Sequence, residues 1–518
     1  MHALSDTVGA TADQAGDHSG DQAGAGIPSQ TGSNGSAQNC AWSRCVAQPA
    51  REFGPSKLTV LSGKLPPGLR GTLYRNGPAR FERGGIRAGH WFDGDGAVLA
   101  VQFDGADGTA TYRYVQSAGY RDEQAADRLL YGNYGMTAPG PIWNQWRRPL
   151  KNAANTSVLA LPDRLLALWE GGGPHALDLE TLSTRGLDNL AGPGGRLGHR
   201  DPVSAHPKQD PDSGEIYNFG IGINSRNATL NLYRCDRQGR LLAKRRHRLE
   251  GVPLIHDFVM AGHWLVFLVP PIRIDVLPIL LGRSSYYDAM RWLPELGTSI
   301  LIFDRRTLEQ VARSESDPWF QWHFGNGAMS SNGRALVLDL VRYEDFSTNQ
   351  HLREVPTGRT VTPAYGRLWR MILDSANAHV DEFACMSERS VEFPTVSPKC
   401  IGQPWSGTYM AIHRVGTDTT AERYDGLARF DHTAAGLPGL ELVEADLGDG
   451  RYPSEPIIAA DADGEHHWLI SVVYDGNADT GEVWIYDAAA LAAGPVCVLG
   501  LPDVVPLSFH GCWRERRP

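Results

Sequence analysis

Four histidines stand in four separate stretches: Ser204-Ala205-His206-Pro207-Lys208, Leu254-Ile255-His256-Asp257-Phe258, Gln321-Trp322-His323-Phe324-Gly325 and Ser508-Phe509-His510-Gly511-Cys512. A neutral imidazole can ligate a metal, shuttle a proton or sit hydrogen-bonded in a core. None of the four has a second histidine at i+3 or i+4, so no helix face offers a local metal clip. Acting together, they would need a closed fold that carries distant segments to one axis. The expectation is that they meet there around one redox metal.

Apolar neighbours (Ile255, Phe258, Trp322, Phe509) argue for burial. A buried imidazole needs a partner for each ring nitrogen. A metal satisfies one, and a carboxylate takes the other and fixes the tautomer. Three glutamates stand in similarly apolar settings: Glu170 after Leu165-Leu166-Ala167-Leu168-Trp169, Glu392 in Val391-Glu392-Phe393-Pro394, and Glu455 before Pro456-Ile457-Ile458. Singly, each histidine reads as a structural or surface residue and each glutamate as a strand end facing water. Together the seven favour a site. Without thiolate, the set argues against a structural zinc centre. Nitrogen donors suit Fe(II), Cu or Zn, and spacing alone does not choose among them. An octahedral iron with four histidines keeps two positions open for dioxygen or substrate.

The elements that must position these residues read as strands. Gly 58 and Pro 33 are high counts for 518 residues, and they fall between short apolar runs. That favours strands and turns over helices. A unit recurs: a strand ending in Asp, a short turn, then a second strand. It appears at Ala176-Leu177-Asp178, Arg234-Cys235-Asp236, Ile302-Phe303-Asp304, Ile372-Leu373-Asp374, Arg429-Phe430-Asp431 and Ile485-Tyr486-Asp487. Hairpins punctuated alike along one chain point to radially repeated four-stranded sheets, an all-β propeller with loop insertions. Two stacked β-sandwiches are the rival. In a propeller, inner strands of different blades converge on one channel. Leu73 to Pro78 reads as a strand entering a turn, and Trp91 to Gly96 as a tight turn whose Asp-Gly pairs tolerate positive φ.

The bulk numbers exclude several classes. Net charge is −10, with only Lys244-Arg245-Arg246 as a basic cluster, so no nucleic-acid partner is expected. Seven cysteines lack any C-x-x-C pair and suit reduced thiols in a cytoplasm. Residues 1–50 are expected as a disordered tail, rich in Gly, Ser, Ala, Asp and Gln up to Gln38, and 51–518 as one catalytic propeller. No h-region marks a signal peptide, and no apolar run approaches the roughly 18 residues of a spanning helix.

The chain resembles the carotenoid cleavage oxygenases, most closely the cyanobacterial apocarotenoid oxygenases, from about Leu58 to Trp513. The stretches that carry the resemblance begin with Gly71-Thr72-Leu73-Tyr74-Arg75-Asn76-Gly77-Pro78, His90-Trp91-Phe92-Asp93-Gly94-Asp95-Gly96 and Asn155-Thr156 leading to Trp169-Glu170-Gly171-Gly172. They continue with Ala205-His206-Pro207, Ile255-His256-Asp257-Phe258, Glu392-Phe393-Pro394, Ser454-Glu455-Pro456 and Phe509-His510-Gly511. The resemblance implies a seven-bladed β-propeller with loop and helix insertions capping the face over an axial Fe2+. It implies His206, His256, His323 and His510 as ligands, with Glu170, Glu392 and Glu455 each holding one of three of them. The chain departs from the family at Asn326-Gly327-Ala328-Met329, where an aromatic and a carboxylate are usual, around Asp463 to His467, and at Ala97.

The implied reaction is oxidative cleavage of a carbon–carbon double bond by O2, giving two carbonyl products from a carotenoid or apocarotenoid. Such chemistry needs a metal and a dry cavity, and neither a nucleophile elbow, a P-loop nor a dinucleotide fingerprint is present. Trp322, Phe393 and Phe509 are expected as tunnel walls. The apolar run Val269 to Leu281 is expected as a surface insertion. Its Ile272, Ile274, Val276, Leu277, Ile279, Leu280 and Leu281 would meet a membrane shallowly, placing the protein in the cytoplasm and peripheral to a membrane. Rival readings are stilbene-type alkene cleavage or polyene isomerisation at the same iron, and a non-catalytic propeller that binds lipid or protein.

Overall fold

The protein is described from a computed structural model that covers residues 40–516 apart from 149, 199–200, 225–226 and 433–441. Contacts divide the chain into Met1–Gln38 and Asn39–Pro518, and every element named below belongs to the second unit. The tail expected over 1–50 lies outside the described residues as far as 39. Its last part is folded. Ala41–Val46 forms a 3-10 turn whose Trp42, Cys45 and Val46 are buried, so a boundary at 50 lies too late. Trp42 carries that correction: its indole donates to Ala421 O at 3.0 Å, a contact no local composition reveals.

Seven large antiparallel sheets make seven blades. Five are built from four strands taken in chain order, as in Phe320–Met329, Ala335–Tyr343, Arg367–Asp374 and Val380–Ser387. The other two join the chain's ends. Gly511–Glu515 pairs with Arg70–Arg80, and Thr59–Gly63 pairs with Pro495–Gly500. The ring is thus stitched shut across two blades, which hides sheet edges. Between blades the packing is apolar. Val266, Ile300 and Ile302 of one sheet share a core with Leu336, Leu338 and Leu340 of the next.

The aspartate punctuation has a local cause. Each hairpin aspartate ends the third strand of its blade, counted from the axis. In three of these turns the carboxylate accepts backbone N–H groups two and three residues on: Asp178 from Glu180 and Thr181, Asp304 from Arg306 and Thr307, Asp374 from Ala376 and Asn377. The aspartate replaces backbone acceptors that the turn has taken out of the ladder. A seventh case, Asp104, accepts from Ala106 and Asp107 and completes the set, although the sequence pattern picks out only six.

Two turn assignments change. The strand at Leu73 runs on through Pro78 to Arg80, and Trp91–Asp93 is a short 3-10 helix. Gly94 has an ordinary negative φ, so left-handed geometry is not its reason. A Cβ there would lie 2.6 Å from Pro78 Cβ, and one at Gly96 would lie 2.2 Å from Ala154 O. These glycines permit close packing.

Candidate metal centre

Each of the seven innermost strands brings one residue to the axis at or within three positions of its start. These are Thr156, His206, His256, His323, Glu392, Glu455 and His510, beside strands Ser157–Ala160, Lys208–Gln209, Val259–Ala261, Phe320–Met329, Val391–Thr395, Ile457–Ala460 and Gly511–Glu515. Two strands bulge to do so. Pairing slips between Gln321 and Phe324, on either side of His323, and between Glu392 and Thr395. A bulge re-aims a side chain that regular alternation would send into a blade.

The four histidines are buried, and one ring nitrogen from each lies within 4.8 Å of the others. His206 Nε2 is 3.0 Å from His256 Nε2, which is 3.3 Å from His323 Nε2. The rings of His206 and His323 lie 4.6 and 4.7 Å from that of His510. Behind the rings stand the carboxylates. Glu392 Oε2 is 2.6 Å from His323 Nδ1, Glu455 Oε1 is 2.9 Å from His510 Nδ1, and Glu170 Oε1 lies against His256 Nδ1. His206 has no such partner, its Nδ1 being 4.0 Å from Asp257.

This donor set fits a cation. With Nδ1–H of His256 and His323 directed at carboxylates, their Nε2 lone pairs face each other at 3.3 Å. Only a proton or a metal ion relieves that repulsion. Burial, and then the crowding of His256, His510 and His323, hold His206 well below its usual pKa, so its ring is neutral. Burial likewise lowers His510, against the pull of Glu455. Burial opposes the charge at both His323 and Glu392, yet the carboxylates of Glu392, Asp257 and Glu455 together raise the His323 ring, and His323, Phe393 N–H and Tyr343 OH together lower the Glu392 carboxyl.

Two further residues tie the histidine segments together, and neither is among the expected site residues. Asp257 accepts from Phe258 N at 2.8 Å, Lys208 Nζ at 2.9 Å and Phe324 N at 3.0 Å, so one carboxylate fixes three histidine segments. Arg75 does the same for the fourth, donating to Glu455 O, Ser508 Oγ and Phe509 O at 2.7, 2.9 and 2.8 Å. Both lie in stretches whose motifs are visible in the sequence, but their partners are not.

Two apolar cavities of about 810 and 1290 Å3, open mouths included, meet above the histidines. They share Phe92, Thr156, His256 and Trp322. The expected walls all lie here. Trp322 packs edge-on to His256 at 4.8 Å, Phe393 stacks on His323 at 5.5 Å, and Phe509 packs on Phe92 at 5.5 Å. Thr156 and Phe92, missed as wall residues, stand in motifs that the sequence does present. Asn326, where the family pattern breaks, is turned away from the rings: its amide donates to Cys400 O and Gln403 O and accepts from Gly402 N.

The apolar run departs in part from expectation. Ile272 and Ile274 are buried, and Ile274 lines the larger cavity. Val276 and Ile279 are half-buried against the same core. Leu277, Leu280 and Leu281 are exposed, and Ile142, Trp143 and Trp146 of a second short helix are exposed too. Trp146 Nε1 donates to Leu280 O at 3.1 Å, which joins the two helices into one apolar surface. The alternation of a strand at Ile272–Ile274 explains why the first part turns inward.

Comparison with known proteins agrees with this architecture. The family profile described as retinal pigment epithelial membrane protein matches residues 46–515. The chain is 32% identical over 478 residues to the apocarotenoid-15,15'-oxygenase of Synechocystis sp., covering 88% of this chain and 92% of that one. It is 26% identical over 473 residues to an isoeugenol monooxygenase of Pseudomonas putida, covering 88% and 94%. A solved structure of a glutamate-to-glutamine mutant of the Synechocystis apocarotenoid oxygenase superposes with a TM-score of 0.83 at 30% identity, covering 92% of this chain and 98% of that one.

Proposed function

Since the chain belongs to the carotenoid cleavage oxygenase family, of which the retinal pigment epithelial membrane protein is a member, we propose that it is a non-haem Fe(II) dioxygenase. It cleaves one C=C bond of a carotenoid or apocarotenoid to give two carbonyl products. The observation that carries this reading is the cluster of four histidine rings at the meeting point of two apolar cavities.

His206, His256, His323 and His510 would hold the iron, and bound there it supplies the redox chemistry that activates dioxygen. The chain's own residues do the rest. Glu170, Glu392 and Glu455 keep three Nδ1 protons and so present three Nε2 lone pairs. Phe92, Trp322, Phe393 and Phe509 exclude water and offer flat apolar faces to a conjugated chain. The two cavities take the two halves of the substrate, and the bond cut is the one lying over the histidines. Both oxygens of Glu392 and of Glu455 already serve protein donors, so neither is free to act as an acid or base on the substrate. The test is product identification: a polyene panel should give paired aldehydes or ketones, whereas phenylpropanoid turnover alone would favour the chemistry named for the isoeugenol relative.

A polyene is insoluble in water and must arrive from lipid. No helix of the described residues is long and apolar enough to cross a membrane. The exposed surface of Trp143, Trp146, Leu277, Leu280 and Leu281 suits shallow contact near the larger cavity, whose lining includes Leu150 and Ile274. On this reading the protein works in the cytoplasm, peripheral to a membrane. Full burial of one such side chain is worth about 1.5–3 kcal/mol. Replacing Trp146, Leu277 and Leu280 by Ser should therefore weaken liposome binding at least about tenfold. It should slow turnover of vesicle-borne polyene but spare detergent-dispersed substrate. Unaltered sedimentation with liposomes would remove the membrane reading.

A further inference from the structure

We propose that Arg423 anchors a carboxylate at one end of the polyene, so that the substrate enters the smaller cavity acid end first. This rests on the function proposed above. Four arginines are buried among the described residues, and three have full sets of partners or a carboxylate. Arg75 makes three hydrogen bonds at the axis, Arg83 pairs with Asp95, and Arg370 grips Asp339 with two nitrogens. Arg423 is 6% exposed and makes no hydrogen bond or ion pair with any described residue. Its Nη1 is buried without an acceptor. Its contacts are ring faces: the guanidinium sits 5.6 Å from Trp91 and 5.9 Å from Trp42.

Cation–π contact offsets part of the cost of burying a charge, but an unpaired guanidinium still lacks an anion. Its fork of N–H donors matches a carboxylate. A second orphan donor lies beside it. Trp91 is also 6% exposed, and its Nε1 has no acceptor either. Both side chains line the smaller cavity.

The cavity's one carboxylate and its histidine outside the axial cluster are already committed. Glu392 takes Tyr343 OH on one oxygen and His323 with Phe393 N on the other. His351 gives its Nδ1 proton to Thr362 O, and burial, then Arg423 itself, keep the ring neutral, with its pKa lowered to about 3. The cavity therefore holds one uncompensated cation and no free anion. The larger cavity has no arginine or lysine in its lining, and its one carboxylate, Glu170, serves His256. This asymmetry fixes direction: one end of the chain is held at Arg423, and the bond that crosses the histidines is set by its distance from the acid. The reaction that supplies this substrate must then be one that leaves an oxidised end on a polyene.

The experiment compares three apocarotenoids of equal length ending in carboxylate, aldehyde and alcohol. Binding to the iron-loaded protein is read without oxygen by tryptophan quenching, then turnover is read with oxygen. The wild type should bind the acid at least about tenfold more tightly than the alcohol, the scale of a charge-assisted hydrogen bond. In Arg423→Met that ratio should collapse towards one, and Arg423→Lys should keep part of it. The ratio in the wild type decides the matter even if Arg423→Met fails to fold. Equal affinities for acid and alcohol in the wild type, with all three cleaved, would overturn the anchor and leave the polyene reading standing. If none of the three binds or is cleaved, both fall.

Discussion

His256→Ala should yield a folded protein that retains little metal and forms no cleavage product. His256 Nε2 lies 3.0 Å from His206 Nε2 and 3.3 Å from His323 Nε2. Its ring also borders both cavities and supports Trp322. Without it three ring nitrogens would remain to hold the metal, and the His256 side of the cluster would open to the cavities. The loss should exceed the roughly 10–100-fold effect of removing a residue that only orients a ligand. Folding should survive because Glu170, left alone, is 31% exposed and can take water, and because the strand pairings that close the ring lie elsewhere. Metal content and product yield measured on the same sample check this. Full metal and full turnover in His256→Ala would remove that ring from the centre.

Glu392 should show a graded effect. Glu392→Gln keeps an acceptor for His323 Nδ1 but removes the charge, and should cost about tenfold in metal affinity or rate; Glu392→Ala should cost about a hundredfold. The alanine variant loses more than a hydrogen bond. Phe393 adopts a left-handed φ of 55°, rare for an aromatic residue, and its N–H is held by Glu392 Oε2 at 2.5 Å. Such a conformation costs about 1–3 kcal/mol and persists only when its surroundings enforce it. Without the carboxylate Phe393 can relax away from the face of His323. Competition with a chelator, alongside steady-state rates, separates the two variants. Equal behaviour of Gln, Ala and wild type would make Glu392 a bystander.

Much of the fold and of the site is legible in the chain. The hairpins are visible because an Asx turn is local: an aspartate at a strand end captures N–H groups two and three residues on. Six of the seven axial residues stand out because imidazoles and carboxylates in apolar strands call for partners. Thr156 does not, since a threonine at a strand start calls for nothing. What stays hidden works at long range. Arg75 reaches Ser508 across 433 positions, and Trp42 reaches Ala421 across 379. Hydropathy identifies the run from Ile272 to Leu281 but not its sidedness, which depends on a strand giving way to a helix at Val276. Gly94 and Gly96 mislead because a glycine needed for close packing looks the same as one needed for positive φ.

The central claim is tested most directly by loading the metal-free protein with Fe(II) under anaerobic conditions, counting iron per chain, then admitting O2 to a bound polyene and weighing the products. The expected result is a single iron held by the four-histidine cluster, and two carbonyl fragments whose masses sum to polyene plus dioxygen. Cleavage that persists after complete chelation, or a protein that holds no iron yet turns the polyene over, would contradict it.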